Sequence, residues 1–262
     1  RFHRPGNSES IEKQVKHLRA LTHNLDQERM TAMPDADPTL RIMANRLEQE
    51  VEQADASLQD GHREYARQQL KTVTSYCIQC HTRTNTGSSL PELQFNQPMD
   101  TLPILEQADF FAATRQYEKA LETYGKILDD LDIAAENPFD WAKAARHALA
   151  IAVRANDSPD QAEKIADKVL KNPRPAVFLQ RDAVAWKKEI QAWAKNKKPI
   201  TTADAKLRLA NRLMAQARKQ FPGSIDGGAG DILYLRASAL LHSYLQTSKP
   251  GPVRSEALLQ LG

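Results

Sequence analysis

The sequence is poor in features that mark several classes of protein. Among 262 residues there are 2 cysteines and 10 glycines, and aromatic residues make up 6%. No apolar run approaches the roughly 20 residues that span a bilayer, which excludes a transmembrane helix in this stretch. The net charge is only +3, from 36 basic and 33 acidic residues spread along the chain, so nothing indicates nucleic-acid binding.

What the composition does contain favours a folded, helical chain. Apolar residues make up 41% and charged residues 26%, which is ordinary for globular proteins and excludes wholesale disorder. Alanine, leucine, glutamine, glutamate, lysine and arginine are common and β-branched runs are few, so we predict an all-α fold. The stretch starts at Arg1 without a methionine or an apolar leader. We expect either that a leader was removed or that the stretch begins inside a longer chain.

Both cysteines lie in one short motif, Cys77-Ile78-Gln79-Cys80-His81. The pattern C-x-x-C-H is the attachment signature of c-type haem. Cysteines three apart on a helical turn lie on the same side and can both form thioethers with the two vinyl groups of one porphyrin edge. His81 then comes under the ring as the proximal iron ligand. The motif therefore predicts one covalently bound haem c, held by Cys77, Cys80 and His81.

Other roles for two clustered cysteines fit this sequence less well. A disulfide or a thioredoxin-type C-x-x-C would expect a βαβ setting, which the sequence pattern does not have. A structural zinc site needs four ligands, whereas this motif supplies at most three. The motif and the helical pattern before it look like those of c-type cytochromes. This resemblance implies maturation in the periplasm or in another extracytoplasmic compartment.

The first hundred residues carry three apolar stripes at helical spacing. The first stripe consists of Ile11, Val15, Leu18, Leu21 and Leu25, and the second of Leu40, Met43, Leu47, Val51, Ala54 and Leu58. The third predicted helix runs from about Arg63 to His81, with Ala66, Leu70, Val73 and Cys77 on one face, and carries the motif near its end. Short connections predict antiparallel neighbours, and the Asn, Gly, Ser and Pro residues of 84–103 predict a linker. We therefore predict a haem-binding helical bundle in residues 1–100.

A haem motif late on a helix of an antiparallel bundle resembles the class II cytochromes c, the cytochrome c′ and c-556 group. Proteins of that group have four helices and carry the motif on the last one. Three helices are predicted here before the linker. The resemblance therefore implies a fourth helix that is either missing or supplied by the downstream part of the chain.

The sixth iron ligand stays open between several side chains. If the turn between the second and third predicted helices centres near residue 60, Cys77 lies level with Met43. Met43 also belongs to the apolar stripe, which makes it our candidate ligand, although methionine is common in helical cores. The alternatives are an open or histidine-ligated site, or ligation by Met30, Met33 or His23.

The second predicted domain, residues 101–262, consists of helical pairs. Its segment Leu105–Leu128 resembles a tetratricopeptide repeat. Ala108 and Ala120 are the small residues at which the two helices would cross closely, and Tyr117 ends the turn between them. The stretch ends in a segment that looks like the start of another repeat, so we expect the natural chain to continue beyond Gly262.

Residues 101–262 carry four further features, three of which support a helical array. Ser158, Pro159 and Gln161 form a predicted capping box with proline at the first helical position. Three tryptophans at helical spacing with other apolar residues are predicted core residues: Trp141, Trp186 and Trp193. No strand precedes the glycine-rich stretch 227–230, so a phosphate-binding loop is not expected there. Additional helices are predicted at Trp141–Arg154, Pro159–Leu170, Ala176–Lys195, Thr201–Gln220 and Asp231–Gln246.

The two domains together predict an electron carrier rather than an enzyme. One haem and no second cofactor site favour single-electron transfer. Stacked helix pairs create a wide surface, which we expect to dock a protein redox or assembly partner, in a complex that could be membrane-associated. No paired carboxylates, Ser-His-Asp set or cluster of metal-binding histidines points to catalysis. The alternatives are a gas-binding or sensing haem protein with an open sixth position, and a scaffold subunit whose haem is mainly structural.

Overall fold

The structure is a computed structural model that describes residues 8–23, 38–83, 101–173, 177–196, 199–220 and 229–261. Within these ranges the chain is all-α, with helices and turns and no strand, which confirms the predicted fold class. The packing of the chain divides it into two units. Unit 1 consists of Arg1–Cys80 with Pro250–Gly262, and unit 2 consists of His81–Lys249.

Apart from α6, the described helices match the predicted ones in place, with ends that differ by a few residues. In chain order they are α1 (Ser8–Thr22), α2 (Pro38–Gln59), α3 (Arg63–His81), α4 (Ile104–Ala113), α5 (Tyr117–Asp129), α6 (Leu131–Glu136), α7 (Pro138–Ala150), α8 (Pro159–Lys171), α9 (Val177–Lys195), α10 (Ala203–Gln220), α11 (Ala229–Thr247) and α12 (Pro252–Leu261). A π-helical segment, Ile151–Ala155, continues α7. The domain boundary predicted near residue 100, most of the predicted linker and residues 227–228 of the glycine-rich stretch lie outside the described residues.

Unit 1 is built on the apolar faces of α1, α2 and α3. Ile11 and Val15 of α1 meet Leu58 of α2 and Ala66 of α3 in one buried cluster, and Leu70 packs against its edge. The residues of this cluster belong to the predicted stripes. The apolar pattern therefore identified the faces that pack in this unit.

Leu21 departs from the predicted first stripe, because its side chain is 61% exposed. Each spacing of three residues turns a side chain back by about 60° around the helix axis. Two such spacings separate Val15 from Leu21, which carries Leu21 to the edge of the packed face. Leu25, the last member of that stripe, lies outside the described residues.

Polar contacts set the register between the helices of unit 1. Gln69 of α3 accepts a hydrogen bond from the Ser57 hydroxyl at 3.1 Å and donates one to Gln53 at 3.0 Å, both on α2. Arg19 of α1 donates to the buried Asp55 carboxylate of α2 at 3.0 Å. The C-terminal helix α12 packs against α2 within the same unit. Unit 1 thus includes four described helices, one of them from the far end of the chain.

Unit 2 begins with a tight helical hairpin of α4 and α5. Ala108 and Ala112 of α4 and Ala120 of α5 are fully buried, which lets the two helix backbones approach closely. The chain reverses at Arg115, whose φ of 59° places it in the left-handed region. Its backbone amide donates to the Ala112 carbonyl at 3.2 Å. The small residues predicted to contact each other are therefore buried in this pair.

A buried carboxylate joins α4, α5 and α7. Asp109 is 5% exposed and accepts hydrogen bonds from the Tyr124 hydroxyl at 2.7 Å, His147 Nδ1 at 2.9 Å and Lys143 Nζ at 2.9 Å. Burial raises the pKa of Asp109, but the bonds and charges of His147 and Lys143 outweigh it and hold that pKa below its usual value. Burial also raises the pKa of Tyr124 well above its usual range, so its hydroxyl stays a donor. These four side chains tie three helices of unit 2 together.

The remaining helices of unit 2 confirm the predicted tryptophan core and half of the predicted capping box. Trp141 and Trp186 are fully buried, and Trp193 is 4% exposed. Ser158 caps α8 by accepting from the Gln161 amide. The Gln161 side chain instead accepts from Asn156 Nδ2 at 2.8 Å, so the reciprocal half of the predicted box is not made.

Helix α6 is absent from the sequence prediction. Its six residues are too few to display an apolar stripe. Asp130 nevertheless caps it by accepting from the backbone amides of Asp132 at 2.9 Å and Ile133 at 3.0 Å.

Candidate functional site

The two cysteines of the motif lie at the end of α3 and share one face of it. Cys77 and Cys80 are three residues apart within the continuous helix, both half-buried, and neither forms a disulfide. Burial raises the pKa of Cys77, and the neighbouring Cys80 raises it further. Cys77 is therefore a protonated thiol at neutral pH. The chain presents two reduced sulfurs on one side of a rigid helix.

His81, the last residue of α3, is held by the α4–α5 hairpin. Its Nδ1 hydrogen-bonds to the backbone carbonyl oxygen of Ala113, the last residue of α4. Its own backbone carbonyl accepts a hydrogen bond of 2.6 Å from the hydroxyl of Tyr117, the first residue of α5. The ring of His81 is thus held by the end of α4, and its backbone by the start of α5.

The Ala113 contact decides which ring nitrogen of His81 can bind a metal. A carbonyl oxygen only accepts, so Nδ1 must carry the hydrogen, and in a neutral ring Nε2 then keeps its lone pair. Burial lowers the pKa of His81, the Ala113 bond raises it and the Arg115 charge lowers it, with a net lowering. The ring is therefore neutral at pH 7. A neutral imidazole whose Nδ1–H is held by a carbonyl is the usual state of a histidine that binds metal through Nε2.

Tyr117 also solves a problem common to helix ends. The last carbonyls of an α-helix have no partner within the helix, and the carbonyl of His81 is one of them. The Tyr117 hydroxyl supplies that partner. Because Tyr117 is 7% exposed, its ring is packed and holds the hydroxyl in place.

These donors fit a covalently bound haem. Two thiols on one helix face match the two vinyl groups of one porphyrin edge, and an imidazole with an available Nε2 lone pair follows directly in the chain. Attachment and proximal ligation of a haem need only these three residues, whereas a structural zinc site needs four protein ligands on one ion. Cys77, Cys80 and His81 are the residues that would hold the group.

The candidates for the sixth iron ligand differ in burial, and two of them lie outside the described residues. Met43 lies half-buried on α2. His23 is exposed and its Nδ1 lies 2.7 Å from Glu48 Oε1, and Glu52 completes a close group of three possible metal ligands. Arg19, 3.3 Å from Glu52, already balances part of that negative charge. Met30 and Met33 lie outside the described residues.

Two residues that orient His81 were not identified as site residues from the sequence. Tyr117 was assigned only to the end of a repeat turn, and Ala113 acts through its backbone, which leaves no mark in the sequence. Both lie more than 30 residues from His81 along the chain. No signal in the sequence connects positions that far apart.

The chain matches no protein-family model, no curated protein sequence and no solved structure. Its functional assignment therefore rests on its own residues and geometry. Among the described helices, none combines the length and apolar character that crossing a bilayer requires.

Proposed function

We propose that this chain is a monohaem cytochrome c that carries single electrons in the periplasm or another extracytoplasmic compartment. Cys77 and Cys80 hold the haem through thioethers, and His81 is the proximal iron ligand. When bound, the haem supplies reversible one-electron chemistry at its iron. The helical hairpins of unit 2 dock a redox or assembly partner.

The observation that carries this proposal is the hydrogen bond from His81 Nδ1 to the Ala113 carbonyl. For an iron ligand the bond has a purpose, since it selects the tautomer, sets the ring orientation and makes Nε2 more basic. The Tyr117 hydroxyl, bonded to the His81 backbone, prevents the end of α3 from fraying.

The apolar stripe of α2 supports a bound apolar group near the motif. Val51 and Ala54 are fully buried, whereas Leu40, Met43 and Leu47 in the first half of the same stripe are only half-buried. A helix normally buries its apolar face along its whole length. A porphyrin over the first half would remove these side chains from water.

Register along unit 1 supports Met43 as the sixth ligand. The bonds of Gln69 set residues 53–57 of α2 level with it. Cys80 is eleven residues further along α3. For two helices that continue antiparallel, the same distance back along α2 reaches residues 42–46. Met43 falls within that range. We therefore propose it as the thioether ligand, which would favour reduced iron and raise the potential.

The docking role of unit 2 rests on its architecture. Consecutive helices pack against each other along this unit, most extensively α10 with α11, α8 with α9 and α4 with α5. Such stacks form wide, preorganised surfaces, and preorganisation lowers the entropic cost of binding. The near-neutral net charge of +3 favours a shaped, partly apolar interface over a purely electrostatic one.

We expect the haem-loaded chain to titrate as one reversible one-electron couple. Absorption spectra recorded during reduction and reoxidation should follow a single Nernst curve with one electron per chain. A low-spin spectrum in both states indicates two axial ligands and supports electron transfer. If reduced iron is instead high-spin and binds carbon monoxide fully, the sixth position is open and the gas-binding alternative replaces the proposal.

Replacing Met43 by alanine is expected to convert the low-spin spectrum of the loaded chain to high-spin, because the thioether ligand is lost. The same change should lower the midpoint potential by removing the ligand that favours reduced iron. The matched control is Met214→Ala, a half-buried methionine of α10 in unit 2, which should leave the spectrum unchanged. A low-spin spectrum in Met43→Ala would assign the ligand to another side chain.

A further inference from the structure

A cavity of about 380 Å³ opens in unit 2 between α8 and the junction of α5 with α6. Its volume lies in the range of small-molecule sites, roughly 300–1,000 Å³. The walls combine three lysines, two aspartates, two leucines and Asn172. None of these residues takes part in the proposed haem site, so the cavity is independent of it.

The charges of the cavity do not balance. Lys168 is paired with Asp129, and Asp167 accepts from Lys187 of α9 at 2.6 Å. Both aspartates therefore already have lysine partners.

The excess positive charge lies on one face of α8. Lys164, Lys168 and Lys171 follow at spacings of four and three, so they line the same side of the helix. Lys164 and Lys171 are exposed and form no ion pair with the described residues. Lys164 and Lys171 are seven residues apart, about two helical turns, and Lys168 with its partner Asp129 lies between them. The flexible lysine stems let both ammonium groups reach one anion bound over this face of α8.

The other side chains that line the cavity indicate the chemistry of the rest of the ligand. Asn172 is 5% exposed and contributes an amide, while Leu128 and Leu131 provide apolar surface. The carboxylates of Asp129 and Asp167 can accept hydrogen bonds from hydroxyl groups. Lysine binds phosphate as a point charge, without the planar geometry that arginine requires.

We propose that this cavity binds a small phosphomonoester with a hydroxylated carbon skeleton. The phosphate lies against Lys164 and Lys171, and the hydroxyl groups face Asp129. The ligand is held by charge at one end and by hydrogen bonds and apolar contact at the other.

Calorimetric titration of the full chain with glucose 6-phosphate, inorganic phosphate and glucose tests this site. We expect saturable binding of glucose 6-phosphate at one site per chain, weaker binding of phosphate and none of glucose. Replacing Lys164 and Lys171 together by glutamine should weaken glucose 6-phosphate binding by about tenfold or more. Lys16→Gln with Lys219→Gln removes the same two charges at exposed positions outside the cavity and should leave affinity unchanged.

A second variant keeps the test decisive if the double lysine variant does not fold. Asp129→Asn frees Lys168 and removes a negative charge from the wall, so inorganic phosphate should bind about fivefold more tightly. An absence of saturable binding overturns the proposal. An equal loss in the control pair, or an unchanged phosphate affinity in Asp129→Asn, also overturns it.

Discussion

Replacing Cys77 and Cys80 together by serine is expected to abolish covalent haem attachment completely. A serine hydroxyl does not form the thioether that each cysteine forms with a vinyl group, so no bond to the porphyrin remains. The measurement is the mass of the denatured chain after production in cells with active c-type cytochrome maturation. The unaltered chain should be heavier by one haem, and the double serine variant should have the mass of the polypeptide alone.

The exposed residue between the two cysteines provides a matched control. Gln79 occupies the same turn of α3 but faces solvent, so Gln79→Ala should retain the full mass of the haem-loaded chain. Single serine variants should lose one of the two thioethers. An unaltered chain that emerges from these cells with the polypeptide mass alone contradicts the haem assignment and, with it, the electron-transfer proposal.

Replacing Asp109 by asparagine is expected to lower the free energy of unfolding by about 3 kcal/mol, in the range for breaking a buried ion pair. The variant loses the negative charge that faces Lys143 and His147 and brings an amide N–H against groups that donate. Denaturant unfolding monitored by circular dichroism measures the difference. The matched control is Glu122→Gln, which removes an exposed carboxylate paired with Lys126 at 2.8 Å. It should leave the midpoint unchanged.

The effect of Asp109→Asn should also depend on pH. The pKa of Asp109 is lower in the folded chain than in the unfolded chain, so its ionisation stabilises the fold above the ordinary carboxyl range. This contribution is lost as pH falls from about 4 through the folded-state pKa. The stability difference between the unaltered chain and the variant should therefore be largest near pH 7 and smaller at pH 3. A difference that stays constant over this range would contradict the ion-pair explanation.

Local patterns along the sequence predicted the helices because each depends on neighbouring residues. Apolar residues three and four apart on α1 and α2 predicted the faces that meet at Val15 and Leu58. Ser158 with proline at the next position predicted the start of α8. The predicted burial of Leu21 was wrong. An apolar stripe drifts around the helix axis, and only the surface packed against the helix decides where burial ends.

The candidate site also has a part that the sequence predicts locally and a part that depends on distant residues. The spacing of Cys77, Cys80 and His81 is a local property, and the sequence alone was enough to predict covalent haem from it. The orientation of His81 depends on Ala113 and Tyr117, more than 30 residues further on. A backbone carbonyl has no identity in the sequence, so no pattern could have named Ala113.

What only the tertiary structure decided is which distant segments come together. Helix α12 joins α2 in unit 1 although some 200 residues separate them in the chain, and the sequence pattern grouped it with the repeats. Asp109 gathers donors from α5 and α7, and the lysines of α8 line a cavity with residues of α5 and α6. Helix formation is governed by contacts within four residues, which a sequence displays directly. Burial and charge pairing between helices depend on how whole faces fit together, and that fit emerges only when the chain packs.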